Sequence, residues 1–354
     1  MKIGLVRRGW SRTGGAEAYL RRFAETAVAA GHEVILFAEQ WPRDAWPWAH
    51  VQVHSHSPRQ FAHALHALRP HDRCDFLFSL ERIFSCDAYR AGDGVHAAWL
   101  ARRAEFEPFW KPWLRRLSAK HQQTLAIERH LFSDKGAEFV IANSRMVADE
   151  IQRHFAYPAD QIAVVYNGVP AFAPPPGARP ATRRDLGLRD DQLALLFVGS
   201  GWERKGLRFA IEAVNALPKS ARLFVIGRGS ARGLPPSHRT RFLGPMPDVA
   251  RFYAAADVFI LPTIYEPFSN ACLEALAAGL PVITTAHNGF AEIIDPGTEG
   301  EVVADPRDTA ALAGAIERWR DPARREASRP QLQALGAKFS LAENARQTLA
   351  LVAG

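Results

Sequence analysis

The stretch Asp257-Val-Phe-Ile-Leu-Pro-Thr-Ile-Tyr-Glu-Pro-Phe-Ser-Asn-Ala-Cys-Leu-Glu274 decides how this chain reads. An apolar run ends at Leu261, a loop carrying Glu266 follows, and Ser269 or Asn270 is suited to cap a helix N-terminus. The helix carries Glu274 in its first turns, Gly279 ends it, and Val282–Thr285 reads as the next strand. Strand, loop, helix, strand is a unit of a parallel sheet, where ligands bind beyond the carboxyl ends of strands. Two carboxylates and several helix-start amides would then surround one spot, an arrangement suited to sugar or ribose hydroxyls. Alone, such an acidic pair is more often one residue complementing a helix dipole and one solvated loop residue. Other motifs must decide.

The alternation continues on both sides. Lys2–Val6, Glu33–Phe37, Asp75–Ser79, Glu138–Ala142 and Ile162–Tyr166 read as strands, as do Leu193–Val198, Leu223–Ile226 and Val258–Leu261. After Gly14-Gly15, the residues Leu20, Phe23, Ala24 and Ala27 recur at helical spacing, and Gly31 stops the helix. Pro170 to Pro180 holds five prolines and reads as a semi-rigid linker. The expectation is two α/β domains in tandem, residues 1–170 and 181–336, joined by a linker at 171–180. A final helix within 337–354 is available to pack back on the first domain.

Composition narrows the function. With 354 residues, 47% hydrophobic and 23% charged, the chain is neither disordered nor a polytopic membrane protein. The charge of +7 (44 basic, 37 acidic residues) favours anionic partners without choosing among them. Three scattered cysteines, Cys74, Cys86 and Cys272, form no disulfide framework and suggest a reducing compartment. The opening apolar run meets Arg7 and Arg8 too early for a signal-peptide core, and no stretch approaches a membrane span. The expected location is the cytoplasm. No D-x-D occurs, which weakens any metal-carboxylate scheme for a diphosphate.

Phe197-Val-Gly-Ser-Gly-Trp-Glu-Arg-Lys-Gly206 places Gly199, Ser200 and Gly201 at a strand end, then Arg204 and Lys205 at a helix entry. A helix dipole disfavours cations there, so the pair makes sense if an anion occupies the site, such as a diphosphate leaving group. A solvated basic turn is the plain alternative. Gly227-Arg-Gly229 ends another strand but lacks the rest of a dinucleotide fingerprint, Arg232 standing where its last glycine belongs. Backbone approach to a nucleotide base at Gly227 is the preferred reading, an ordinary tight turn the other.

At these residues the chain resembles glycosyltransferase family 4. Glu266 and Glu274 stand at the family's E-x7-E spacing, Arg204-Lys205-Gly206 precedes them, and Leu273-Glu-Ala-Leu-Ala-Ala-Gly-Leu-Pro-Val-Ile-Thr-Thr285 follows. With the N-terminal glycine turn and Tyr166-Asn-Gly-Val169, the resemblance covers nearly the whole chain. It implies a GT-B fold, two Rossmann-like doubly wound domains facing each other across a cleft. It further implies that Glu274 holds the ribose of a nucleotide-sugar donor. Glu266 would hold the donor sugar with the amides of Phe268 and Ser269, and Arg204 and Lys205 would neutralise the diphosphate. Gly14 and Gly15 would close over the phosphates. Members retain anomeric configuration and need no metal or cofactor beyond the UDP-sugar substrate. Tyr89-Arg-Ala-Gly-Asp93-Gly-Val-His96 resembles the lipopolysaccharide core glucosyltransferase I group, where an aspartate replaces a common histidine. That assigns Asp93 to donor or acceptor hydroxyls, with His96 as the alternative.

Trp99 to His121 holds five Phe or Trp residues and six Lys or Arg against Glu105 and Glu107. Pro108 and Pro112 exclude one uninterrupted helix. Rings beside cations suit an interfacial membrane segment, nucleic acid, or a helix packing its aromatics inward. The resemblance implies docking on the inner face of the cell membrane. It would run through Trp99, Arg102, Arg103, Trp110, Lys111, Trp113, Arg115, Arg116 and Lys120, without nucleic acid. The leading expectation is a retaining hexosyltransferase moving glucose from UDP-glucose onto a lipid-linked saccharide, the lipopolysaccharide inner core. A UDP-sugar 2-epimerase of the same architecture and a non-catalytic nucleotide-sugar or lipid-binding protein are the alternatives. A nicotinamide oxidoreductase is the weakest reading.

Overall fold

The computed structural model describes residues 1–10, 15–115, 118–133 and 136–354, without the side chains of Arg43 and Leu114. The chain divides into two compact units, Met1–Tyr166 with Leu341–Gly354, and Asn167–Ser340.

The first unit runs β1 (Lys2–Val6), α1 (Gly15–Ala29), β2 (Glu33–Ala38), β3 (Ala49–Gln52), α2 (Pro58–Ala67), β4 (Phe76–Ser79), β5 (Cys86–Ala91) and α3 (His96–Ala104). Then follow α4 (Trp110–Arg115), α5 (Ala119–Ser133), β6 (Ala137–Ala142), α6 (Arg145–Phe155) and β7 (Ile162–Val164). Its sheet has the order β3-β2-β1-β4-β5-β6-β7 with every pair parallel. The order turns back between β1 and β4, so the segments leaving those strands share one end of the sheet at a topological switch point.

The α1 stripe anticipated from periodicity is the buried one: Leu20, Phe23, Ala24 and Ala27 are all solvent-inaccessible beside Ile3, Leu5 and Leu36. Burying each such Leu or Phe contributes about 1.5–3 kcal/mol.

The second unit contains α7 (Ala178–Asp185), β8 (Leu193–Val198), α8 (Leu207–Ala216), β9 (Ala221–Ile226), β10 (Thr240–Gly244), α9 (Ala250–Ala255) and β11 (Val258–Leu261). It continues with α10 (Asn270–Ala277), β12 (Val282–Thr285), β13 (Gly300–Val303), α11 (Thr309–Arg318) and α12 (Pro322–Ala337). Its order is β10-β9-β8-β11-β12-β13, again all parallel. Leu193-Ala-Leu-Leu-Phe-Val198 and Val258-Phe-Ile-Leu261 are apolar throughout because helices cover both faces of such a sheet. Here the switch point falls between β8 and β11, which brings the loops after Val198 and Leu261 together.

A buried ion cluster locks the other end of this sheet. The Asp257 carboxylate accepts the Ala194 N–H (2.8 Å), Arg179 Nη2 (2.6 Å) and Arg183 Nη1 (3.1 Å). Burial works to raise that carboxyl, but the amide and the two guanidiniums outweigh it and hold its pKa below the ordinary range.

Two expectations about organisation need correction. The boundary between the units falls after Tyr166, and the Pro-rich stretch belongs to the second unit. Pro170–Ala173 line a cavity with Tyr253 and Glu274, and α7 starts at Ala178, inside the expected 171–180 linker. The stretch is coil up to α7 and keeps Pro170, Pro175, Pro176 and Pro180 exposed, with Phe172 and Pro174 half-buried. At the C-terminus, α12 fills residues 322–337 in the second unit. Then α13 (Leu341–Ala353) joins the first, where Tyr19 Oη donates to Thr348 Oγ1 at 3.0 Å. Among the described residues, no helix is long and apolar enough to cross a membrane.

Candidate active site

The site is built around Glu266. Its backbone is fixed first: the Glu266 N–H donates to the His287 carbonyl (2.9 Å), and its own carbonyl accepts the Gly289 N–H (3.0 Å). The side chain is buried and faces the loop after β8. Lys205 Nζ donates to Glu266 Oε2 at 2.5 Å, and Arg204 Nη2 lies 3.3 Å from the same oxygen. Burial would raise this carboxyl, but the charges of Lys205 and then Arg204 prevail and lower its pKa, so it is ionised at neutral pH. The cations expected to meet a diphosphate and the carboxylate expected to meet a sugar thus contact one another here.

Backbone contacts between the two loops set that geometry. The Arg204 carbonyl accepts the Ile264 N–H (2.8 Å) and Thr263 Oγ1 (2.9 Å), while Arg204 Nη1 donates to the Tyr265 carbonyl (3.0 Å). Gly206 adopts φ +71°, and a Cβ there would overlap the Pro262 carbonyl oxygen. Glycine is what allows the two loops to touch. Gly199 and Ser200 lead into this loop, with Ser200 Oγ accepting the Arg228 N–H (3.1 Å). Gly227, at φ +125°, also lets two loops of the protein approach each other, since a Cβ there would strike the Gly199 carbonyl.

Helix α10 starts as the sequence indicates, with Ser269 Oγ accepting the Cys272 N–H (3.2 Å). The Ser269 N–H, however, donates to Asn288 Oδ1 at 3.2 Å, so a sugar contact from that amide would have to displace this bond. Phe268 is buried, its ring 6.1 Å from that of Phe290. Glu274 reaches the cavity of about 280 Å³ lined by Pro170–Ala173, Pro247, Val249 and Tyr253. Burial raises its pKa, offset in part by Tyr253 Oη, which donates to Glu274 Oε2 at 2.8 Å. A partly desolvated carboxylate at the wall of an apolar cavity suits a ligand with paired hydroxyls and a flat ring.

Asn288 and Tyr253 were not anticipated. Asn288 joins three segments, accepting from Ser269 and Phe290 amides and donating to Thr284 Oγ1 (2.9 Å). The Asn288-Gly289 dipeptide marks a turn and could have flagged it. Tyr253 lies in an ordinary amphipathic helix with no distinguishing signal.

In the first unit, Asp93 is exposed in the turn after β5, at the same sheet end as the segments leaving β1 and β4. Its charge bears on Arg7 and Glu81. Those two were also not anticipated. Arg7 Nη1 donates to Glu81 Oε1 (3.2 Å), its Nε and Nη2 donate to Glu17 Oε1 (3.2 and 3.1 Å), and Glu81 Oε2 accepts the Arg8 N–H (3.2 Å). His96 opens α3, and its Nε2 lies 3.0 Å from His121 Nδ1. Burial, then the charges of Arg82, His121 and Lys120, lowers its pKa to about 4, leaving it neutral at physiological pH. Of the glycine turn, Gly15 begins α1, and Gly14 lies outside the described residues.

The basic aromatic segment divides. Phe109, Trp110 and Trp113 are 93%, 49% and 65% exposed, whereas Trp99 and Phe106 are half-buried beneath the guanidiniums of Arg103 and Arg102. Lys111 Nζ sits 5.8 Å from the Trp110 ring, and Arg103 and Arg115 both pair with Glu107. Lys120 opens α5 with an exposed side chain, and Arg116 lies outside the described residues.

Comparison with known proteins identifies the family and the fold. Residues 13–171 match the family model described as Glycosyltransferase Family 4, and residues 192–321 match Glycosyl transferases group 1. The chain is 29% identical over 317 residues to the lipopolysaccharide glucosyltransferase WaaG of Escherichia coli, covering 83% of this chain and 82% of that protein. It is 31% identical over 331 residues to a probable transglycosylase of Burkholderia thailandensis, covering 90% and 86%. Among solved structures, WaaG superposes with a TM-score of 0.82 at 24% identity over 99% of this chain and 100% of its own. Anabaena HepE in complex with UDP-glucose superposes at 0.77 with 16% identity over 100% and 99%. The two family matches and the similarity over nearly the whole chain show that it belongs to glycosyltransferase family 4, and its two parallel-sheet units have the GT-B fold of the structures it superposes on.

Proposed function

We propose that this glycosyltransferase moves glucose from UDP-glucose, with retention, onto a lipid-linked saccharide of the lipopolysaccharide inner core. The observation that carries the reading is the pairing of Lys205 and Arg204 with Glu266 beside the capped start of α10. Cations held by a single carboxylate can exchange it for a diphosphate, and the released carboxylate can then accept sugar hydroxyls. As the sugar–phosphate bond breaks, charge grows on the leaving phosphate, and preoriented cations in a partly dry site stabilise it more than water would. Neutralisation by Lys205 and Arg204 calls for no metal. Glu274 and its cavity would take the nucleoside, and Asp93 the hydroxyls of sugar or acceptor.

Residues Phe109, Trp110 and Trp113 beside Lys111 favour an interfacial role for the segment around α4, since exposed rings are costly in water and stable at headgroup depth. The enzyme would work at the inner face of the cell membrane, where its acceptor is assembled. WaaG, a lipopolysaccharide glucosyltransferase similar over most of both chains, supports the choice of donor and acceptor.

The test is a panel of radiolabelled nucleotide sugars, with and without intact and delipidated core acceptors. Label should move from UDP-glucose only with acceptor present, and Glu266→Ala or Lys205→Ala should abolish transfer. Full activity in either variant would refute the site. An altered sugar nucleotide formed without acceptor would point to the epimerase instead.

A further inference from the structure

At the end of the second sheet away from Glu266, a cavity of about 260 Å³ is lined by Arg189, Arg222, Arg239, Arg241, His238 and Phe224. Arg222 stands at the start of β9, whose far end meets the Gly227 turn. The five residue steps from Arg222 to Gly227, at ~3.3 Å each, put roughly 16 Å between this cavity and the donor-side loops.

The partners of these arginines set them apart from the other basic clusters. Arg222 Nη1 donates to the carbonyls of Lys219 (2.6 Å) and Ala221 (3.2 Å). Arg239 Nη1 donates to those of Val214 (3.0 Å) and Leu217, and Arg241 Nη1 to that of Leu186 (3.3 Å). Every partner is a backbone carbonyl. Among the described residues, none of the three meets a carboxylate, and their Nε and Nη2 groups have no protein acceptor. Arg189 instead pairs with the exposed Asp191 at 3.0 Å.

Strand register collects positive charge on one face here. Arg241 stands opposite Phe224 in the β9–β10 ladder, and Arg222, two residues before Phe224, shares that face. Like charges on neighbouring strands repel, and no acid lines the cavity to offset them. Guanidiniums with free forked N–H groups match phosphate oxygens two at a time.

We infer that this pocket binds a phosphate group, carried by free phosphate, by a phosphomonoester or by an anionic phospholipid headgroup. The full chain is titrated calorimetrically with inorganic phosphate and with glycerol 1-phosphate, and co-sedimented with phosphatidylglycerol and with phosphatidylcholine vesicles. Saturable binding of the soluble anions is expected if the ligand is free. Phosphatidylglycerol-selective sedimentation is expected if it is a headgroup. In either arm R222Q/R241Q should weaken binding more than about tenfold, because two charge-assisted contacts are lost. Lys205→Ala, which alters the donor-side clamp, should leave this binding in place. The inference is overturned if no anion or vesicle binding responds to R222Q/R241Q, or if the loss follows Lys205→Ala instead. Should R222Q/R241Q melt below the assay temperature, Arg241→Ala serves alone, since it removes only one 3.3 Å bond to the fold.

Discussion

Replacing Glu266 by Gln separates two roles that alanine would confound. In the structure Lys205 Nζ and Arg204 Nη2 both lean on Glu266 Oε2, at 2.5 and 3.3 Å, and all three side chains are at least half-buried. A diphosphate that uses these cations must first displace the carboxylate. Two unit charges ~4 Å apart at an effective dielectric near 20 interact by about 4 kcal/mol. Only part of that is recovered on exchange, because the carboxylate then needs new partners. Taking the ~1.5–3 kcal/mol of a charged hydrogen bond as the net competition, Glu266→Gln should tighten UDP binding about ten- to hundredfold. The same variant should lose transfer, because a neutral amide is a poorer acceptor for sugar hydroxyls. It should also melt earlier without ligand, since two buried cations lose their counter-charge.

Calorimetric titration of UDP reads the first effect, and the UDP-induced rise in melting temperature, larger in the variant than in the parent, checks it independently. Unchanged or weaker UDP affinity in Glu266→Gln would show that Glu266 does not compete with the diphosphate for Lys205 and Arg204. The exchange scheme would then be wrong.

Gly206→Ala should cost about 1–3 kcal/mol and depress transfer, because the new methyl must push the Pro262 carbonyl away at a positive φ; unaltered melting would contradict the close contact. Asp257→Asn should cost about 3–5 kcal/mol in denaturant unfolding, since Arg179 and Arg183 would keep their charges without a buried partner. Because the folded pKa of Asp257 is lowered, its contribution is present above the ordinary carboxyl pKa and disappears as pH falls through the folded value. The variant's stability should therefore vary less with pH below about 4 than the parent's, and parallel curves would count against the assignment. Tyr253→Phe removes the one hydroxyl that offsets burial at Glu274, so the pKa of that carboxyl should rise further. Donor KM should climb severalfold on the acid side with kcat little changed, and an unmoved pH profile of KM would exclude Tyr253 as a positioning residue.

How much was legible in the sequence follows from what each strand buries. The central strands β8 and β11 are continuous apolar runs, and β1 and β12 are nearly so, because both faces are covered, and their limits are as expected. Four strands left no such trace. β3 (Ala49-His-Val-Gln52) and β10 (Thr240-Arg-Phe-Leu-Gly244) are edge strands with solvated side chains, so their pattern is that of a loop. β5 is interrupted by Asp87 and Arg90, yet Arg90 is buried with its guanidinium 4.2 Å from the Tyr19 ring centre. β13 carries Glu301, buried because Arg318 meets it with two bonds of 2.8 and 2.7 Å. In each of the last two, a partner distant in sequence pays the desolvation cost, and no local pattern encodes it.

The same limit separates the cations proposed to meet a ligand from structural ones. Arg204-Lys205 was conspicuous because two charges at a helix entry contradict the dipole. Arg179 and Arg183 look equally basic in sequence, yet their donors are filled by Asp257 and the carbonyls of Ala254, Ala255 and Ala256, leaving little to offer a ligand. Arg222 and Arg241 use only carbonyls, so each retains its full charge and most of its donors. What distinguishes the three sets is therefore the identity of the acceptor. A carboxylate filled by several arginines makes a staple, a carboxylate shared at a strand end is the one proposed to exchange, and carbonyls alone leave the charge unneutralised by the protein's own acids. The net excess of +7 says that some cations lack acids, and only the fold says which.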